Sequence, residues 1–71
     1  MMLRPYSEDI FIMTDGDESS KEQFHSAESA IAWAKIKGKS AWRVKTFIAD
    51  NGMLINKHER YSFGHQKWEA R

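Results

Sequence analysis

The segment at residues 26–38 carries the start and stop signals of an α-helix, and the residues on both sides of it are patterned as β-strands. Ser26 can cap the first turn by accepting a hydrogen bond from a free backbone N–H, and Gly38 can adopt the left-handed conformation that ends many helices. One stripe of this helix collects Ala27, Ala30, Ile31, Trp33 and Ala34. We expect this stripe to face a sheet, with Trp33 supplying much of the buried area and Ile36 exposed on the opposite side.

Two strands are predicted before the helix. Residues 9–14 are rich in β-branched and aromatic side chains, and Asp15-Gly16-Asp17 ends them with turn residues. Both faces of this first strand are apolar, which is typical of a strand in the interior of a sheet or of one covered on its second side. Residues 21–24 predict a short second strand that pairs back on the first, after an acidic loop at residues 15–20.

A hairpin is predicted after the helix. Residues 41–50 alternate in the manner of a strand, and Asn51-Gly52 favours a two-residue type I′ turn. That loop places Ile48 opposite Ile55 and Trp42 opposite Tyr61. The face expected under the helix then carries Trp42, Val44, Thr46, Ile48, Ile55 and Tyr61. The outer face carries Arg43, Lys45, Phe47, Leu54, Asn56, His58 and Arg60.

These elements predict an α+β domain with one helix packed on a three- to four-stranded, mainly antiparallel sheet in the order β(β)αββ. We expect a single domain over residues 1–71, with its core at about residues 9–61 and a polar tail at residues 62–71. The chain has 71 residues and no cysteine, so its stability depends on one compact core without disulfides. Two packings of the tail are open: Phe63 and Trp68 fold back over the sheet, or they stay free to contact a partner.

Composition and motif spacing exclude several classes of function. No apolar run is long enough for a signal peptide or a membrane span, so we expect a cytoplasmic protein without membrane contact. The acidic turn at residues 15–19 lacks the spacing of an EF-hand, and His25, His58 and His65 lack that of a zinc site. No nucleophile or phosphate-loop motif occurs. We therefore expect no catalytic activity, cofactor or metal.

The surplus of aromatic and cationic side chains points to binding. Aromatic residues paired with arginine are frequent anchors of protein interfaces, so we predict a non-catalytic protein-binding module. The predicted contact residues are Arg43, Lys45, Phe47, Leu54, His58, Arg60 and Trp68. The alternative is a nucleic-acid-binding domain that uses the basic outer face of the sheet, although the sequence pI of 8.1 is lower than such domains usually have. A homodimer formed through a sheet edge or an apolar sheet face is a third hypothesis.

The stretch from Phe24 to Ala34 (FHSAESAIAWA), followed by a strand and an Asp-Asn-Gly hairpin, resembles the strand-helix-strand-strand layout of small bacteriophage-encoded proteins. These include anti-CRISPR proteins and phage antitoxins, and the resemblance covers about residues 9–61. It is one of layout and residue type, and no family residue is transferred to this chain. It implies action without chemistry, as an inhibitor or modulator that occupies a surface of a host protein.

Overall fold

The computed structural model of the protein describes residues 2–71, which form five strands and one helix. The elements are β1 (Arg4–Thr14), β2 (Asp17–Phe24), α1 (Ala27–Lys37), β3 (Ser40–Ile48), β4 (Leu54–Ser62) and β5 (Lys67–Ala70). They build one sheet in the order β2-β1-β3-β4-β5, in which all neighbours are antiparallel. The predicted α+β class with one helix and an antiparallel sheet is confirmed. The predicted strand number and order are wrong, because residues 67–70 of the expected tail form a fifth strand against β4.

Strand β1 is the longest element and lies between β2 and β3, as its two apolar faces predicted. It begins at Arg4, five residues earlier than expected, and a bulge between Pro5 and Ser7 interrupts its pairing with β3. Strand β2 begins at Asp17, so the expected acidic loop contains only the two turn residues Asp15 and Gly16 outside the strands. Polar residues at 17–20 are accommodated because β2 is an edge strand with solvent on one side.

Both predicted caps of helix α1 are confirmed. The Ser26 hydroxyl accepts a hydrogen bond from the Ser29 N–H at 3.4 Å, and Gly38 has a φ of 68° with its N–H bonded to the Ala34 carbonyl. Glu28 lies in the first turn and Lys35 and Lys37 lie in the last, where each charge is favourable for the helix dipole. The boundaries of this helix therefore follow from local chemistry.

The helix contacts the sheet through its smallest side chains. Ala30 and Ala34 are fully buried, whereas Trp33, which was expected to supply much of the buried area, is 46% exposed. Around the helix axis, Trp33 lies about 80° from the direction midway between the two alanines. It is on the side of α1 that faces the edge strand β2. The Lys37 ammonium, which binds Glu22 of β2, lies 5.5 Å from the centre of its indole ring. Ile36 is 71% exposed, as predicted.

The β3–β4 hairpin is shifted by one residue from the predicted register. The loop contains three residues, because Ala49 donates its N–H to the Met53 carbonyl and accepts from the Gly52 N–H. Gly52 has a φ of 84°, so the loop is a turn followed by a left-handed residue that forms a bulge. Ile48 then pairs with Leu54. Because side chains alternate between the two faces of a sheet, this one-residue shift places the side chains of β3 on the faces opposite to those predicted.

The face of the sheet that carries α1 is called here the helix face, and the opposite one the open face. The core on the helix face consists of Ile12, Ala30, Ala34 and Ala41, with Tyr61 and Trp68 packed against it. Because Ala41 is in this core, the odd-numbered residues of β3 lie on the helix face. Trp42, Val44, Thr46 and Ile48 lie on the open face, so their predicted position under the helix is wrong, whereas Ile55 and Tyr61 lie on the helix face as predicted.

The sheet has two halves that differ in packing. The covered half contains β2, α1, β5 and the strand segments at residues 10–14, 40–43 and 59–62. The three-strand half contains residues 4–9 of β1, 44–48 of β3 and 54–58 of β4, and none of these residues is buried. The helix follows Phe24, which pairs with Ile10, and ends just before Ser40, which pairs with Met13. It therefore lies over the covered half of a molecule that measures 41 × 27 × 20 Å.

Candidate functional site

The predicted contact residues are divided between the two faces of the sheet. Arg43, Lys45 and Phe47 lie on the helix face, whereas Leu54, His58 and Arg60 lie on the open face. Their predicted position on one common face is wrong because of the one-residue shift of the hairpin. Their role in binding a partner stays a prediction.

The two arginines of this set are held by carboxylates. Arg43 Nε lies 2.8 Å from Glu59 Oε1 and 3.7 Å from Glu8 Oε1, and its guanidinium lies 4.5 Å from the centre of the Trp68 ring. Only 18% of the Arg43 side chain is exposed. Arg43 is therefore a packing residue at the boundary of the covered half.

Arg60 is tied on the open face in a similar way. It donates to Asp15 Oδ2 and to Ser40 Oγ, both at 2.8 Å, and its guanidinium lies 5.6 Å from the ring centre of Trp42. Next to Trp42, Phe11 is only 8% exposed, and Lys21 lies 4.3 Å from its ring centre. Cationic side chains thus cover the aromatic pair of the open face with their apolar stems and keep their charges in water.

Trp68 also acts in packing. It is half-buried in β5, packs against the core, and makes an edge-to-face contact with Tyr61 at 5.4 Å between ring centres. Tyr61 makes a second such contact with Phe63 at 5.2 Å. The turn before β5 is held by His65, whose Nδ1 lies 2.8 Å from Glu69 Oε2, and this hydrogen bond lowers the pKa of the Glu69 carboxyl. The tail covers neither Phe47 nor Leu54, because it extends the sheet instead of crossing its face.

The helix face of the three-strand half keeps an unusual combination of side chains. Lys45 pairs directly with Lys57, and in the next row Phe47 pairs with Ile55. Directly opposed residues have Cβ atoms about 5 Å apart, and like charges at that distance destabilise a sheet. The only carboxylate within 4.0 Å of Lys45 in residues 2–71 is Glu59 at 3.8 Å, and Lys57 makes no salt bridge there. Its ammonium lies 5.3 Å from the Phe47 ring centre instead.

Two grooves flank Lys45 and Phe47. The groove of about 440 Å³ on the β1 side is lined by Pro5, Tyr6 and Glu8, and the groove of about 410 Å³ on the β4 side is lined by Asn56, Lys57 and Arg71. Tyr6, on the first of these, is 61% exposed. Both grooves are shallow and open to solvent, which suits a macromolecular partner better than an enclosed small ligand.

Sequence reasoning missed Lys57, Ile55 and Tyr6 as members of this surface. Lys57 and Ile55 join Lys45 and Phe47 only in the observed hairpin register. The signal that could have revealed it is the tripeptide Asp50-Asn51-Gly52, because a three-residue loop with glycine in the left-handed position is the next most common hairpin connection. Tyr6 was missed because β1 was expected to begin at residue 9.

Comparisons with family models, curated proteins and solved structures find nothing that matches this chain. Across the described residues, no helix combines the length and the apolar character needed to cross a bilayer. The same residues hold no group of three or more potential metal ligands.

Proposed function

We propose that the protein is a non-catalytic binding module that acts by occupying a surface of another protein, as an inhibitor or modulator. The observation that carries this proposal is the three-strand half, whose strands extend beyond the helix with no buried residue. A three-stranded sheet without a covering layer leaves apolar side chains in water, and these side chains gain free energy when a partner covers them.

The helix face of this half has the composition of a protein interface. Phe47, Ile55 and Tyr6 provide apolar and aromatic contact area, while the lysine pair Lys45 and Lys57 provides positive charge. An acidic partner surface with apolar side chains complements this arrangement, since charge complementarity increases both the rate and the specificity of association. The proposed occupant is therefore a partner protein with a negatively charged, partly apolar surface.

Nucleic-acid binding has less support than protein binding. The predicted basic face depended on Arg43, Arg60, Lys45 and His58 lying side by side. The hairpin register separates the two arginines onto opposite faces, and each is neutralised by a carboxylate. Fewer unpaired cations on one face mean fewer phosphate contacts.

The proposal is tested by comparing variants at the two ends of the molecule. Phe47→Ala and Ile55→Ala change the helix face of the three-strand half, and Ile36→Ala changes an equally apolar residue on the outer surface of α1. The tagged protein is first used to isolate a binding protein from cell extract. The isolated protein is then purified and its affinity for each variant is measured by calorimetry, after circular dichroism has shown that the variants are folded.

We expect a loss of at least tenfold in affinity for Phe47→Ala and Ile55→Ala and no change for Ile36→Ala, because anchor residues near the centre of an interface typically contribute about 1–4 kcal/mol. Equal effects at both ends of the molecule contradict the proposal. If the protein instead binds short oligonucleotides with a steep salt dependence, its partner is a nucleic acid and the proposal is wrong. If light scattering shows that the mass doubles as the concentration rises, the partner is a second copy of the chain.

A further inference from the structure

The two free edges of the three-strand half differ in the protection they carry. Strand β2 pairs with β1 only from Ile10 onward, so residues 4–9 form one free edge. That edge contains Pro5, a bulge and the acidic residues Glu8 and Asp9. Proline, bulges and charges are the features with which sheet proteins block the addition of a further strand. The edge of β1 is therefore better protected against strand addition than the edge of β4, where Lys57 is the one charged residue at positions 54–57.

The edge of β4 at residues 54–57 lacks a bulge and a proline. Strand β5 pairs with residues 59–62, and the Arg71 N–H donates to the His58 carbonyl at 2.9 Å. Because backbone groups alternate in direction along a strand, the N–H and C=O groups of Leu54 and Asn56 point to the same side as that carbonyl. Beyond the end of β5, the same edge of β4 thus carries a short row of backbone donors and acceptors. These groups have no strand partner in residues 2–71.

The positive charge on the helix face favours acidic side chains in any strand that adds to this edge. Its residues there lie beside Lys57, which itself lies opposite Lys45, and they border the groove that Arg71 also lines. A carboxylate side chain beside Lys57 offsets its positive charge and so lessens the repulsion between the two opposed lysines. On the open face the same strand lies beside Leu54, which is 51% exposed and offers apolar contact.

We propose that an extended acidic segment of the partner protein adds as a sixth strand along residues 54–57 of β4, with its carboxylates on the helix face beside Lys57 and its apolar side chains toward Leu54. This inference rests on the proposed function and specifies how the partner binds. The backbone of Leu54 and Asn56 supplies the hydrogen bonds, and the lysine pair supplies the selection for acidic residues.

A second copy of the chain is a poor occupant of this edge. Antiparallel pairing of two β4 edges about Asn56 places Lys57 of each copy beside Ile55 of the other. The two lysine pairs then lie on one continuous face, and like charges so close together oppose association.

The experiment uses a blocked ten-residue peptide in which glutamate alternates with valine, so that a bound strand directs all its carboxylates to one face. It is titrated into ¹⁵N-labelled protein at physiological salt and followed by NMR. We expect the amide protons of Leu54 and Asn56 to exchange with solvent at least tenfold more slowly at saturation. Two control peptides are the same sequence with lysine for glutamate and the same sequence with N-methylated backbone amides on its pairing edge, and both should bind at least tenfold more weakly.

Charge-reversal variants complete the test. Lys57→Glu should lower the affinity for the acidic peptide at least tenfold and raise the affinity for the lysine peptide. Lys35→Glu makes the same change on the exposed surface of α1 and should leave both affinities unchanged. Equal weakening by the two variants, binding without protection at Leu54 and Asn56, or the absence of acidic-peptide binding overturns the inference. If the isolated partner still discriminates Phe47→Ala from Ile36→Ala in that case, only the strand-addition inference fails and the proposed function stands.

Discussion

The two halves of this sheet are continuous in hydrogen bonding but different in packing. In the covered half, α1 approaches closely because Ala30, Ala34 and Ala41 leave no bulky side chain between helix and sheet, and Ile12 is fully enclosed. In the three-strand half, β3 and β4 continue with apolar residues on both faces and no second layer. Folding free energy therefore comes mainly from one half, and the other is left without a second layer.

The comparison also shows why so small a chain can hold an exposed ribbon in place. Strands β1 and β3 run through both halves. Because packing in the covered half fixes one end of each strand, it also sets the position and twist of the three-strand half. We expect substitutions to separate accordingly, with large stability effects in the covered half and mainly binding effects in the three-strand half. We make four predictions on stability, from the largest expected effect to the smallest, and the first compares the two halves directly.

Ile12→Ala should cause the largest loss of stability. Ile12 is 0% exposed, and truncating a buried isoleucine typically costs about 2–5 kcal/mol through lost burial and the cavity left behind. Leu54→Ala in the three-strand half should cost less than about 1 kcal/mol, since half of that side chain is already in water. Urea unfolding followed by circular dichroism compares the two, and equal losses would show that the halves are packed alike.

Ala34→Leu tests the close approach of the helix. A larger side chain at this fully buried position must push α1 away from the sheet, and overpacking of this kind typically costs about 1–3 kcal/mol. Ala32→Leu, on the exposed side of the same helix, is the matched control and should change the unfolding free energy by less than about 0.5 kcal/mol. Thermal unfolding of both variants is sufficient, and a neutral Ala34→Leu would mean that the contact is looser than described.

Gly52→Ala tests the left-handed conformation at the end of the hairpin loop. Gly52 has a φ of 84°, where a Cβ is disfavoured by about 1 kcal/mol, so the variant should lose about that much stability. Gly64→Ala serves as the control because Gly64 lies in a turn without positive φ. Should chemical denaturation show the two alanine variants to be equivalent, the left-handed conformation of Gly52 would be incorrect.

Glu22→Gln should have the smallest effect, a small loss of stability at neutral pH that disappears in acid. Hydrogen bonds from Lys37 and Lys39 hold the pKa of the Glu22 carboxyl below its usual value of 4.5. A depressed pKa in the folded state means that the stabilisation is present above about pH 4.5 and is lost as the pH falls through the folded-state pKa. The variant should therefore lose less stability than the wild type between about pH 6 and pH 3. An NMR titration of Glu22 with a midpoint at or above 4.5 would contradict the described ion pairs.

Local chemistry determined helix α1 and several neighbouring features from the sequence alone. Ser26 and Gly38 mark its ends through hydrogen bonds within five residues, and such contacts are independent of the rest of the fold. The central place of β1 also followed from its two apolar faces. The class of fold, one helix on an antiparallel sheet, was therefore predictable.

The faces of the hairpin, the fifth strand and the candidate surface depended on tertiary structure. Asn51-Gly52 is compatible with loops of two or three residues, and the choice between them exchanges the faces of β3 and β4. That choice depends on packing: Ala41, a small residue, fits beneath the alanines of α1, where Trp42 would hold the helix away. The sequence alone determined which residues form the helix and that the strands are antiparallel. Only the packed molecule decided which side of each strand faces the helix, because a one-residue register shift leaves local backbone preferences nearly unchanged while reversing every side chain.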